Sequence, residues 1–216
     1  MMQTYTEDHV RADGRAIRLT FAEPERVVRG GLVVLHEADG VDDKVRLLVS
    51  GLAGEGWLAV APHIQPSDRG LTGQDILAAT DTTLAWLVDR AVRADLIGVM
   101  GFDVGGTAAL VVAASRKLGA AVSVGGQGIS KPLSDELPAL VDIAGNLVSP
   151  WLGLYGDEGD EAAEAEVERL REAASAAKVA TNVVRYPGAN HRFDADPAAS
   201  AEAWQRTLDW FDGYLR

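Results

Sequence analysis

Leu96-Ile97-Gly98-Val99-Met100-Gly101-Phe102-Asp103-Val104-Gly105-Gly106 decides how this chain is read. Its first six residues form a continuous apolar run, the pattern of a strand buried on both faces. From Val104 to Leu118 the residues are again nearly all apolar and read as a buried helix. Between the two, Gly101 and Gly105 flank Asp103 at equal distance. Glycines so placed allow the strained strand-to-helix turn known as a nucleophile elbow. Such a turn lifts one side chain above the sheet and aims the next helix N-terminus at it. Gly-x-x-x-Gly alone carries little; a strand before it and a helix after it give it meaning.

Working outward, further strands are expected at 31–35, itself a continuous apolar run, and at 57–62, 120–124, 151–155 and 182–186. Helical spacing appears between them, with Val45, Leu48, Val49 and Leu52 on one face and Ile76, Leu77, Thr80, Leu84, Leu87, Val88 and Ala91 on another. Two more helices are expected around Val167, Leu170 and Ala174, and around Trp204, Leu208, Phe211 and Leu215. Asp13-Gly14 predicts the turn of an N-terminal hairpin. Residues 63–73 read as a loop, and the stretch after 124 as irregular. The acidic run 157–168 reads as the solvated start of a helix, favoured by the helix dipole. Strands alternating with helices imply a mostly parallel sheet covered on both faces, with ligands at the carboxyl ends of the strands.

The 216 residues suit one domain, 1–216, and 47% of them are hydrophobic, enough for a large core. The net charge of −12 argues against nucleic-acid binding, which selects basic surfaces. No cysteine is present, so disulfides, thiolate metal sites and a thiol nucleophile are excluded. The first ten residues lack the pattern of a signal peptide, and the apolar stretch after Asp103 is too short for a bilayer. A cytoplasmic protein without a membrane partner is expected.

His191 lies after the final strand and before the last helix, in Tyr186-Pro187-Gly188-Ala189-Asn190-His191-Arg192-Phe193. That order relative to the elbow makes it the candidate base. His9 falls in the hairpin and reads as exposed, His36 ends a strand, and His63 begins a loop.

The chain resembles the dienelactone hydrolase family through 31–40 (GLVVLHEADG), 56–62 (GWLAVAP), 101–106, 150–157 (PWLGLYGD) and 186–193. The resemblance implies a three-layer α/β/α fold of the α/β-hydrolase type, mostly parallel, with no cap domain. It also implies a cysteine at position 103, a histidine at 191, an aspartate after the strand ending at Tyr155, and a glutamate at 37 that helps activate the cysteine. Main-chain amides near Ala38 and at Val104 would form an oxyanion hole. This chain departs at two positions. Asp103 replaces the cysteine, and the expected acid falls on Gly159, leaving Asp160 and Asp157 as the neighbouring candidates to orient His191.

A carboxylate attacking an ester carbonyl would give an anhydride, whereas attack on a saturated carbon gives an alkyl ester that activated water can cleave. The elbow also resembles those of haloalkane dehalogenases and epoxide hydrolases. Val104 stands where the former carry a halide-binding tryptophan, and none of Tyr5, Tyr155, Tyr186 or Tyr214 suits the role of the latter's cap tyrosines. The leading expectation is a cofactor-independent hydrolase of a small ester, lactone or related substrate. Its site would be an altered Asp-His-Asp triad of Asp103, His191 and Asp160 or Asp157, with Glu37 nearby and the amides of Ala38 and Val104 as oxyanion donors. The alternative is a catalytically inactive relative that binds a small ligand or partner. A metal site of Glu37, Asp103 and His191 is a lesser option. Should Glu37 and Asp103 lie close, repulsion would raise one pKa and make that group an acid.

Overall fold

The computed structural model describes residues 2–11, 14–36, 40–64 and 72–216. Its chain begins with a hairpin of β1 (Thr4–Val10) and β2 (Ala16–Ala22). Then β3 (Gly31–Leu35), α1 (Asp43–Gly54), β4 (Leu58–Pro62), α2 (Gly73–Asp89) and β5 (Ile97–Phe102) follow. The rest runs α3 (Val104–Ser115), β6 (Ala120–Val124), α4 (Leu140–Ile143), β7 (Trp151–Gly156), α5 (Glu161–Ser175), β8 (Thr181–Tyr186) and α6 (Pro197–Tyr214). The short α4 lies in the stretch read from sequence as irregular. Its four residues are too few to show a helical period.

All eight strands join one sheet in the order β1-β2-β4-β3-β5-β6-β7-β8. β1 and β2 run antiparallel, as does the β2–β4 pair, and the six strands from β4 to β8 are mutually parallel. The connection from β3 to β4 goes one way along the sheet, and that from β4 to β5 crosses back past β3. Ligands in such sheets settle at this reversal, outside the carboxyl ends of the strands. Here those ends are His36, after β3, and Asp103, after β5.

Side-chain alternation along the strands builds the layers. Leu32, Val34, Ala59, Ala61 and Met100 face a core shared with α1 (Val49, Leu52) and α6 (Ala203, Phe211). Val33, Leu35, Leu58, Val60 and Val99 face the opposite side, against α2 (Ile76, Leu87) and α3 (Ala108, Val112). α5 closes that side farther along through Val167 and Leu170, against Trp151 and Val183. The fold is therefore the three-layer α/β-hydrolase architecture, and no cap domain stands over the strand ends among the described residues. No helix of the described residues is long and apolar enough to cross a membrane.

Candidate active site

The elbow turns in a single residue. Asp103 has φ 51° and ψ −117°, a region that L side chains rarely occupy, at a cost of about 1–3 kcal/mol. Both flanking glycines are demanded by contact. A Cβ on Gly101 would stand 2.0 Å from the Gly105 carbonyl oxygen, and one on Gly105 would stand 2.4 Å from that of Leu35. The Asp103 N–H donates to the Val124 carbonyl at 3.0 Å and its own carbonyl accepts from Thr107 N–H at 3.0 Å, so the strained residue is tied on both sides.

The Asp103 carboxylate makes no cap for its own helix. It reaches instead to the loop between β8 and α6, where Oδ1 lies 2.8 Å from His191 Nε2 and Oδ2 accepts from Arg192 Nη1 at 2.9 Å. Two consecutive side chains converge because the loop turns sharply: Phe193 N–H donates to the Asn190 carbonyl at 2.6 Å, and Phe193 has φ 51°. The His191 carbonyl accepts from Gly156 N–H at 3.1 Å, which pins the histidine beside the end of β7. Asp103 is only 6% exposed, while the His191 ring is about half open to solvent. Burial pushes the Asp103 carboxyl above the usual carboxylate range, while the attraction of His191 and hydrogen bonds from His191 and Gln127 pull the other way. The Oδ1–Nε2 contact therefore couples the buried carboxyl group to the half-exposed imidazole.

The two acids expected behind His191 are both employed elsewhere. Asp157 Oδ1 accepts from the amides of Gly159 at 3.0 Å and Gly188 at 2.6 Å, and Oδ2 pairs with Arg185. Burial raises its pKa, but those partners outweigh burial and hold it below the usual range. Asp160 is the N-cap of α5 and accepts from Ala162 N–H at 2.9 Å. Neither is bonded to the imidazole. The carboxylate that approaches His191 Nδ1 is Glu158, at 3.7 Å and largely exposed, beyond hydrogen-bond length. Glu158 and Gly159 have φ of 53° and 73°, a left-handed pair that turns the chain at this point. Sequence reasoning weighed the residues on either side of Glu158 and passed over it. It also passed over Arg192, whose signal was its adjacency to His191.

Glu37 and Ala38 lie outside the described residues, as does most of the loop after His63. Val104 opens α3, so its amide is among those with no carbonyl partner four residues back. His36 is buried and donates Nε2–H to the Pro62 carbonyl at 2.7 Å, with its pKa lowered by burial. His63 Nε2 shares a 2.7 Å hydrogen bond with Thr20, and His9 is half-buried on β1 rather than exposed. Among the described residues no group of three His, Asp or Glu side chains is placed to hold a metal ion. Phe102 and Arg192 line two cavities, one of about 570 Å³ reaching His36 and Lys44 and one of about 240 Å³ toward α6.

The model of the dienelactone hydrolase family matches residues 17–215. The chain belongs to that family. It is 33% identical over 207 residues to an Escherichia coli (strain K12) protein named "Putative carboxymethylenebutenolidase", covering 85% of this chain and 76% of the relative. Identity is 32%, also over 207 residues, with the Salmonella typhimurium protein of that name, covering 85% and 77% of the two chains. Among solved structures, a Klebsiella pneumoniae protein titled "Putative Dienelactone Hydrolase" superposes with TM-score 0.85 at 28% identity, over 98% of this chain and all of the other. This dienelactone hydrolase relative thus has the family's fold, with a carboxylate at the apex of its elbow.

Proposed function

We propose that the protein hydrolyses a small ester, lactone or related substrate, with Asp103 as nucleophile and His191 as base. The observation that carries this reading is the 2.8 Å contact between His191 Nε2 and Asp103 Oδ1 at a strained elbow apex. Asp103 attacks the saturated carbon bonded to the ester oxygen. That C–O bond breaks, a carboxylate leaves, and the alkyl group becomes an ester of Asp103. His191 Nε2, released from the carboxylate, then takes a proton from water attacking the Asp103 carbonyl carbon. The oxyanion so formed lies at the N-terminus of α3, where the Val104 amide (and, by family resemblance, that of Ala38) would donate. The tetrahedral intermediate collapses, the alcohol leaves with the proton, and Asp103 is regenerated. Glu158 takes the place of Asp157 and Asp160 as the charge behind Nδ1, while Glu37 would stand as a second acid. Nucleophile, base and water suffice, so no cofactor is invoked, and the cytoplasmic setting follows the sequence reading.

A second reading, a non-catalytic binder, is favoured by the Arg192 contact to Oδ2. With both carboxylate oxygens engaged, Asp103 is a weaker nucleophile until a ligand displaces the guanidinium. A panel of 4-nitrobenzyl esters, whose ester oxygen is bonded to a saturated carbon, and aliphatic lactones separates the two. Turnover lost in both Asp103→Ala and His191→Ala supports the hydrolase. No turnover by the wild type, with a ligand-induced melting shift that survives Asp103→Ala, supports the binder.

A further inference from the structure

The smaller cavity, lined by Phe102 next to Asp103 in the chain and by Arg192 that bonds its carboxylate, has no role in the proton chemistry. It measures about 240 Å³ and lies between the sheet and α6, under the loop that carries His191 and Arg192. Met100, Val124 and Leu154 form its floor, Ala203 and Trp204 its wall, and Phe193 part of its roof. The hydroxyls in the lining are already spent, Ser200 on the Phe193 carbonyl at 3.0 Å and Thr207 on the Ala203 carbonyl at 2.8 Å. Polar atoms enter only where Arg192 and Asp194 line it, and those two residues also line the larger cavity. An apolar void of roughly 150 Å³ is enough to take up benzene, so this one is large enough for a phenyl ring or a short alkyl chain.

We infer that this cavity receives an uncharged alkyl or aryl arm of the substrate whose ester group sits at Asp103. The inference rests on the reading of the Asp103 cleft as the ligand site. Away from Arg192 and Asp194 a charged arm would be buried without partners, whereas each methylene that leaves water for the cavity strengthens binding by about threefold to fourfold. Arg192, at the junction, separates the apolar arm from the polar cleft. The substrate class is therefore a small ester or lactone with a hydrophobic substituent of ring or short-chain size.

The test uses two readouts on the full chain. In thermal melts with the neutral probes acetamide, butanamide and hexanamide, stabilisation should grow with chain length in the wild type. Ala203→Phe, which fills the wall, should abolish that growth. If Ala203→Phe fails to fold, Trp204→Ala serves instead and should move the best length upward. In turnover of 4-nitrobenzyl acetate and hexanoate, the ratio of kcat/KM, hexanoate over acetate, should exceed about tenfold in the wild type and fall toward one in Ala203→Phe. Equal stabilisation by all three amides overturns the proposal, whatever the turnover. Graded stabilisation without ester turnover upholds the cavity and defeats only the hydrolase reading.

Discussion

Asp103 and Asp157 are both buried aspartates just past the ends of parallel strands, and each is bonded to an arginine, yet their surroundings assign them opposite chemistry. Asp157 receives two backbone amides as well as Arg185, and its pKa is held down. Its carboxylate stays charged to lower pH than an ordinary aspartate and fastens the turn after β7 to Gly188. The Asp103 oxygens instead meet side chains, the His191 imidazole, the Arg192 guanidinium and Gln127, and burial drives its pKa up. Fixed amides make a structural carboxylate, while partners that can leave or lose a proton make a reactive one.

The largest expected effects follow from that contrast. His191→Ala should lower ester turnover by about a thousandfold, because base catalysis in the second step is lost, with little change in the denaturant midpoint. Asp157→Ala should do the reverse. It leaves two amides without their acceptor, while Arg185 keeps Glu164 at 3.0 Å, and should cost about 2 kcal/mol in urea unfolding, and a loss of turnover should only follow that of folded protein. A stable Asp157→Ala that is nonetheless inactive would erase the distinction.

The pH dependence should separate the pair with opposite signs. For Asp103, with its folded pKa raised, the favourable contribution is present below about pH 4 and lost as pH rises through the raised value. Asp103→Asn should therefore gain in Tm relative to wild type as pH increases above 4. For Asp157, with its pKa lowered, the contribution is present above about pH 4 and lost as pH falls through the lowered value. The deficit of Asp157→Asn should be widest near neutrality and narrow in acid. Parallel slopes in the two melting series would contradict the account. The smallest effect is assigned to Glu158→Gln, where an exposed charge at 3.7 Å should change kcat by about twofold to fivefold.

The fold could be read from the chain because β3, β4, β5 and β7 are uninterrupted apolar runs and α1, α2, α5 and α6 keep a helical period. The elbow was readable because only glycine fits at 101 and 105, and His191 because its place follows the last strand. The acid could not be read this way. The left-handed turn at Glu158 and Gly159 redirects side chains by an amount that spacing does not encode, so Glu158 approaches the imidazole while Asp157 and Asp160 serve as turn lock and helix cap. Arg192 escaped for a related reason. Adjacent residues on extended chain point apart, but the Asn190–Phe193 turn brings Arg192 and His191 onto one carboxylate.

The most direct measurement is hydrolysis in heavy-oxygen water at single turnover, followed by mass analysis of the peptides carrying Asp103 and Asp157. The account predicts one heavy oxygen in the Asp103 peptide and none in the Asp157 peptide. Product formed with no label in Asp103 would contradict the nucleophilic role of the elbow carboxylate.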